Sequence, residues 1–407
     1  MATFRAVSVA QDVPRAVPRM TVTPGRVLID QPFTVRLTGL SVRQTVTVSC
    51  RYSDAFGTVR RSHATFRADA HGTVNLATQA PISGTYTGVD SMGLIWSVPS
   101  LATVDDMTDL DLIGFLHSST VTFTARLGKD VVARATVTRY LVTERVMHRS
   151  LRSNGLYGEF YWPKGKTLVP AVLVVGGSEG GLHAYLMREA ALLAAHGYAA
   201  LALAYFGEPG LPTQLVRIPL EYFMRALDWM QGQKEVDRDR LAVMGTSRGG
   251  ELALLLAAYD PSLKAAISYV GSGIVVGSPG HPNVPAWTWH GEPVPFARSR
   301  AGERAATIPV QRIHGPMLLI AAKDDHVWPS SVLLKAAMAQ AQAHHHRFHD
   351  QLLSYKGAGH LIQPPYLAVD ATIGSRFGGD AKDQEHADVD SWRHVLHLLA
   401  SRFGPGS

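Results

Sequence analysis

The sequence predicts two domains of different class: an antiparallel β-sandwich, followed by an α/β domain built on a mostly parallel sheet. Three observations carry this reading. At 407 residues the chain is longer than a single hydrophobic core usually serves. Residues 20–142 alternate apolar and polar side chains with period two between evenly spaced turns. From residue 171 onward, short continuous apolar runs alternate with helical segments, as buried parallel strands and their crossover helices do.

In chain order, residues 1–19 form a mildly basic arm without the apolar core of a secretory signal. Strands are then expected around Val35, Val48, Phe123 and over 131–140, with turns at Pro24-Gly25, 54–57, His71-Gly72, Ser83-Gly84 and 128–130. Short strands with regular turns and no long helix describe an immunoglobulin-like sandwich. His63, His71 and His117 stand alone and carry no chemistry by themselves. The glycine- and aromatic-rich stretch 84–96 lacks alternation. It reads as a shaped loop that plugs the sandwich, in preference to one bordering an active-site mouth. Residues 142–158 read as a connector, and 158–165 as a hairpin opening the second domain, 143–407.

In that domain, strands are expected at 171–175, 199–204, 241–246, 265–270, 317–321 and 351–355. Helices are expected over 184–196, ended by Gly197, and over 220–230, where Leu220, Phe223, Met224, Leu227 and Met230 share a face. A closing helix begins near Asp390 and buries Trp392, Val395, Leu396 and Leu399. In such a sheet, functional groups gather at the carboxyl ends of the strands.

One of those ends carries Gly245-Thr-Ser247-Arg-Gly249, placed between an apolar strand and a helix-forming run. This is the nucleophile elbow of an α/β-hydrolase. A serine on so sharp a turn needs neighbours without Cβ atoms, and the helix that follows aims its first N–H groups at a developing oxyanion. The hydroxyl needs a base, and an imidazole needs a carboxylate to hold its tautomer. Strand 317–321 runs into Asp324 and Asp325, of which Asp325 is chosen and Asp324 is the alternative. Strand 351–355 runs into Gly359-His360, which singles out His360 among 18 histidines. His344, His345 and His346 lie in a polar helical stretch and read as solvated surface, not as a metal site. The oxyanion hole is assigned to the backbone of Arg248 and to the loop 176–181, at Ser178 or Glu179. That loop lacks the lysine of a phosphate-binding P-loop.

Composition narrows the partners. A net charge of +6 suits an anionic ligand, yet it is spread along the chain, without the basic runs of a nucleic-acid binder. The one cysteine, Cys50, rules out an intrachain disulfide and reads as a small buried hydrophobe. Nothing calls for a cofactor or metal. No apolar stretch reaches the roughly 18 residues of a membrane span, and the C-terminus is no peroxisomal address, so a cytoplasmic enzyme is the simplest fit.

With these residues in hand, the chain resembles the acyl-CoA thioesterase / bile acid-CoA:amino acid N-acyltransferase (BAAT) family. The blocks that carry the resemblance are Gly88-Val-Asp-Ser-Met92-Gly-Leu-Ile-Trp96, Ser178-Glu-Gly-Gly-Leu182, Ala202-Leu-Ala-Tyr205, Gly245 to Leu252, Asp324-Asp-His-Val-Trp328 and Gly357 to Tyr366. The resemblance implies a triad of Ser247, Asp325 and His360, and an acyl-CoA or carrier-bound acyl thioester as substrate. Members with serine hydrolyse, and bile-acid conjugating members use cysteine, so Ser247 points to hydrolysis. The alternatives are transfer of the acyl group to an amine or hydroxyl, carboxylester hydrolysis, and a binding protein on an inactive hydrolase fold. Glu179 departs from the small residue the family carries there, and it is expected to turn away from the oxyanion and brace its loop. Residues 277–310, with Pro285, Trp287 and Trp289, are expected to wall the acyl group; Arg298, Arg300 and Arg304 read as solvated.

Overall fold

The computed structural model describes residues 17–53, 59–98, 118–299, 302–368 and 376–404. Most of the N-terminal arm, the turn at 54–57, His117 and Arg300 lie outside them. The first domain is a sandwich of a three-stranded and a six-stranded sheet. Alternation decides its packing. In the strand Thr45–Ser53, Val46, Val48, Cys50 and Tyr52 face inward and the residues between them face out. Pairing is antiparallel except where Arg26–Leu28 runs parallel to Thr138–Tyr140. Burial pushes the Cys50 thiol up to about 12, so it stays protonated. The 84–96 stretch fills one end of this core: Leu94, Ile95 and Trp96 are buried, Tyr52 donates to the Ile95 carbonyl at 2.9 Å and Ser62 to that of Leu94 at 2.5 Å.

The second domain is an α/β-hydrolase fold. Its eight-stranded sheet runs Val146–Leu151, Tyr157–Pro163, Ala199–Ala204, Val169–Val175, Val236–Thr246, Leu263–Tyr269, Met317–Ala322, Gln351–Tyr355. The last six strands are parallel, and the first two are added antiparallel at one edge. Every residue of Val169–Val175 and of Met317–Ala322 is buried, because helices cover both faces. Among the described residues, no helix is long and apolar enough to cross a membrane.

Two expectations are corrected. The connector contains the edge strand Val146–Leu151, which pairs with Tyr157–Pro163, so the hairpin forms upstream of where it was placed. Four of its six residues are exposed, and an edge strand with one open face shows little apolar signal. The closing helix spans Ala381–Phe403 and starts well before Asp390. Its first turns bury polar side chains (Gln384, Glu385 and Asp388), which hydrophobic periodicity does not detect.

Candidate active site

Ser247 caps the strand Val236–Thr246 and precedes the helix Arg248–Tyr259 with φ 57° and ψ −120°. For a non-glycine residue that conformation costs about 1–3 kcal/mol and persists only where the surroundings enforce it. They do so here by close packing. A Cβ on Gly245 would sit 2.1 Å from the Gly249 carbonyl oxygen, and one on Gly249 would sit 2.3 Å from that of Gly176. The Ser247 N–H is held by the Tyr269 carbonyl at 2.9 Å.

His360 and Asp325 come from loops after the last two parallel strands. Nδ1 of His360 lies 2.9 Å from both carboxylate oxygens of Asp325, with the two side chains 7% and 1% exposed. An ionised carboxylate only accepts, so the proton sits on Nδ1 and Nε2 is left with a free lone pair. Asp325 also accepts the N–H groups of Val327 and Trp328, at 3.0 and 3.2 Å. The indole of Trp328 donates to the Val270 carbonyl at 2.7 Å and stands 6.5 Å from the His360 ring. The loop that carries Asp325 is thereby anchored next to Tyr269, whose carbonyl holds the Ser247 N–H. Among the described residues no hydrogen bond joins Ser247 Oγ to His360; without substrate such contacts are commonly open.

The glycine-rich loop lies against the elbow. The position a Cβ of Gly177 would occupy is 3.2 Å from Ser247 Cβ and 2.7 Å from Glu179 Oε2. Glu179 Oε1 accepts from the Gly177 N–H at 2.9 Å and from the Tyr185 hydroxyl. Burial and the neighbouring carboxylate push the Tyr185 phenol well up, which keeps it a donor. Glu179 therefore braces its own loop, which lies against the nucleophile. Ser178 and Glu179 are exposed, and the Arg248 N–H opens the first turn of its helix, where N–H groups have no partner within the helix.

Four side chains of this region, those of Tyr205, Trp287, Glu251 and Arg248, make polar contacts that were not singled out from the sequence. Tyr205 donates to the carbonyls of Gly176 and Gly177 at 2.8 and 3.2 Å. Its ring centroid lies 5.8 Å from that of Trp287, whose indole donates to Glu251 at 2.7 Å. Glu251 meets the guanidinium of Arg248 at 2.8 Å, and Arg248 reaches the Val276 carbonyl at 3.0 Å. The Ser247-Arg-Gly-Gly-Glu251 spacing could have signalled that ion pair, since i,i+3 residues share a helix face. Burial raises the Glu251 carboxyl; Arg248 and Trp287 act against it. The chain from Arg248 to Tyr205 links the elbow to the glycine-rich loop through one residue of the 277–310 insertion.

Two family models match the chain. "Acyl-CoA thioester hydrolase/BAAT N-terminal region" covers residues 30–153, and "BAAT / Acyl-CoA thioester hydrolase C terminal" covers 218–284 and 294–405. The chain belongs to the acyl-CoA thioester hydrolase/BAAT family. Its relatives match at nearly full length. A peroxisomal succinyl-coenzyme A thioesterase of Mus musculus is 28% identical over 93% of this chain and 95% of that protein. Acyl-coenzyme A thioesterase 1 of Rattus norvegicus is 29% identical over the same shares. Among solved structures, a dienelactone hydrolase-like phosphotriesterase from metagenomic libraries is similar over 64% of this chain and all of that one, with 22% identity and a TM-score of 0.45. Both family models leave out residues 154–217, which hold the loop with Glu179, and 285–293, which hold Trp287.

Within the insertion, Trp287 is fully buried and Trp289 packs on Tyr259 at 5.4 Å, while Arg298 and Arg304 are exposed. His344 and His345 are exposed at the end of the helix Ser330–Ala343. His346 is not: its side chain is 2% exposed, held by Asp350 at 2.7 Å and the Ile313 carbonyl at 2.9 Å. Among the described residues, no group of three or more His, Cys, Asp or Glu side chains could hold a metal.

Proposed function

We propose that the protein hydrolyses an acyl thioester, carried on CoA or on a carrier protein, through Ser247, His360 and Asp325. The observation that supports this most is the buried His360–Asp325 contact, with the Asp325 loop tied through Trp328 to Val270, next to the Tyr269 carbonyl that holds Ser247. Ser247 Oγ attacks the thioester carbonyl while His360 Nε2 takes its proton, and Asp325 steadies the imidazolium. The oxyanion is met by the Arg248 N–H and by an N–H of Ser178 or Glu179; each such donor is typically worth ~10²–10³ in rate. The tetrahedral intermediate collapses to an acyl-serine, and His360 returns the proton to the departing thiol. Water, deprotonated by the same imidazole, then releases the acid and regenerates Ser247.

The test is a panel of acyl-CoAs of increasing chain length, assayed by thiol release with wild type and Ser247→Ala, with the products identified. Thiol release with free acid, absent in the variant, is the expected result. Amide or ester formation in the presence of an amine or hydroxyl acceptor would make the enzyme a transferase. Activity that survives Ser247→Ala would remove the serine from the chemistry.

A further inference from the structure

The segment that carries His360 is irregular and largely buried, so its backbone polar groups need partners that no strand or helix supplies. Side chains of the closing helix supply them. Gln384, fully buried in its first turn, accepts the Gly359 N–H through Oε1 at 3.0 Å and donates through Nε2 to the Leu361 carbonyl at 2.9 Å. The residues on either side of His360 are therefore held by one side-chain amide. Nε2 also donates to Asp388 Oδ1 at 3.1 Å, which fixes which end of the amide faces which group. Asp388 Oδ1 accepts the Gln363 N–H and Glu385 Oε1 that of Tyr366, each at 3.0 Å, while Pro364 and Pro365 between them have no N–H to satisfy. The His360 N–H itself goes to the Phe377 carbonyl at 2.8 Å.

We propose that Gln384 is a positioning residue for the reaction: by clamping Gly359 and Leu361 it sets where the His360 imidazole stands between Asp325 and Ser247. The proposal rests on the reading of His360 as the base. A side chain bonded to a single group could tether the loop, but only a group that both accepts and donates can fix the backbone on both sides of one residue. A misplacement of about 1 Å at a catalytic group can lower the rate ~10²-fold.

Two variants test it beside His360→Ala. Gln384→Met keeps the length of the side chain and loses the clamp. We expect kcat to fall at least tenfold with KM within twofold, and the proton resonance of the His360–Asp325 hydrogen bond to shift or broaden. Gln384→Glu keeps the acceptor for Gly359, loses the donor to Leu361 and to Asp388 Oδ1, and sets a second carboxyl against Asp388. Its kcat relative to wild type should rise as pH falls and the new carboxyl regains a proton to donate. A Gln384→Met enzyme within twofold of wild type in kcat, or changed in KM alone, would overturn the proposal if His360→Ala is inactive. An active His360→Ala would instead remove the reading of the base, and this proposal with it. Should Gln384→Met not fold, the pH dependence of Gln384→Glu decides, and a flat ratio overturns the clamp.

Discussion

Both carboxylate oxygens of Asp325 stand 2.9 Å from Nδ1 of His360, whereas Asp324, one residue earlier, faces elsewhere. Asp324 accepts the Gly379 N–H at 2.8 Å and meets His326 at 3.2 Å, with its side chain 51% exposed. On the proposed triad, Asp325→Asn should lower kcat by ~10³–10⁴, because an amide can force the wrong imidazole tautomer. Asp324→Asn keeps an oxygen to accept the Gly379 N–H and should cost less than about tenfold, or roughly 1.4 kcal/mol. Steady-state kinetics of the two variants with one acyl-CoA checks the ranking, and the reverse order would make Asp324 the acid.

Glu179 places a negative charge beside the nucleophile, where it would oppose an oxyanion unless its own partners absorb it. Those partners are the Gly177 N–H and the Tyr185 hydroxyl. Glutamine can accept from both, so Glu179→Gln should keep the loop in place. Labelling of Ser247 by a fluorophosphonate should change by less than about tenfold (about 1.4 kcal/mol). A larger loss of labelling rate would show that the charge itself takes part in acylation.

Tyr205 holds the glycine-rich loop by its hydroxyl alone, through two carbonyls. Burial raises its phenol well above the ordinary value, so it remains a donor across the working range of pH. Tyr205→Phe should cost about 1–3 kcal/mol of stability, since it leaves buried acceptors unpaired. If the loop supplies an oxyanion donor, kcat should fall further than KM changes. Denaturant midpoints measured beside the kinetics separate the two effects; a loss of stability with unchanged kcat would place the oxyanion donor elsewhere.

The parallel sheet was legible because its inner strands are buried on both faces and read as plain apolar runs, as at Ala199–Ala204, whose bounds match the expectation; those of the half-buried edge strand Gln351–Tyr355 match it as well. Ser247, Asp325 and His360 could be proposed from the sequence because each follows a strand of that sheet, where the architecture puts functional groups. The residues that hold them were not legible. Gln384, Glu385 and Asp388 sit on a buried helix face that is polar, so the start of the closing helix was misplaced. Nor was the partner of Trp287 legible: its indole donates to Glu251, 36 positions away, where no local pattern reveals it.

Glu189 offers a test that does not depend on the chemistry. It lies in the helix Ala184–Ala195, 5% exposed, and burial raises its carboxyl from 4.5 to about 7, with Arg188 acting against this and Glu179 adding to it. The folded value lies above the unfolded one, so folding is disfavoured wherever the group must ionise. Below about pH 4.5 the carboxyl is protonated in both states and costs nothing through its charge. Between 4.5 and about 7 the unfolded chain ionises first and stability declines; above about 7 the full penalty is present. At ~1.4 kcal/mol per pH unit that penalty is about 3 kcal/mol. Glu189→Gln should therefore stabilise the protein at pH 8.5 and change it little at pH 4.5. Urea midpoints at the two pH values check this, and an equal shift at both would mean that the residue does not titrate between the two states.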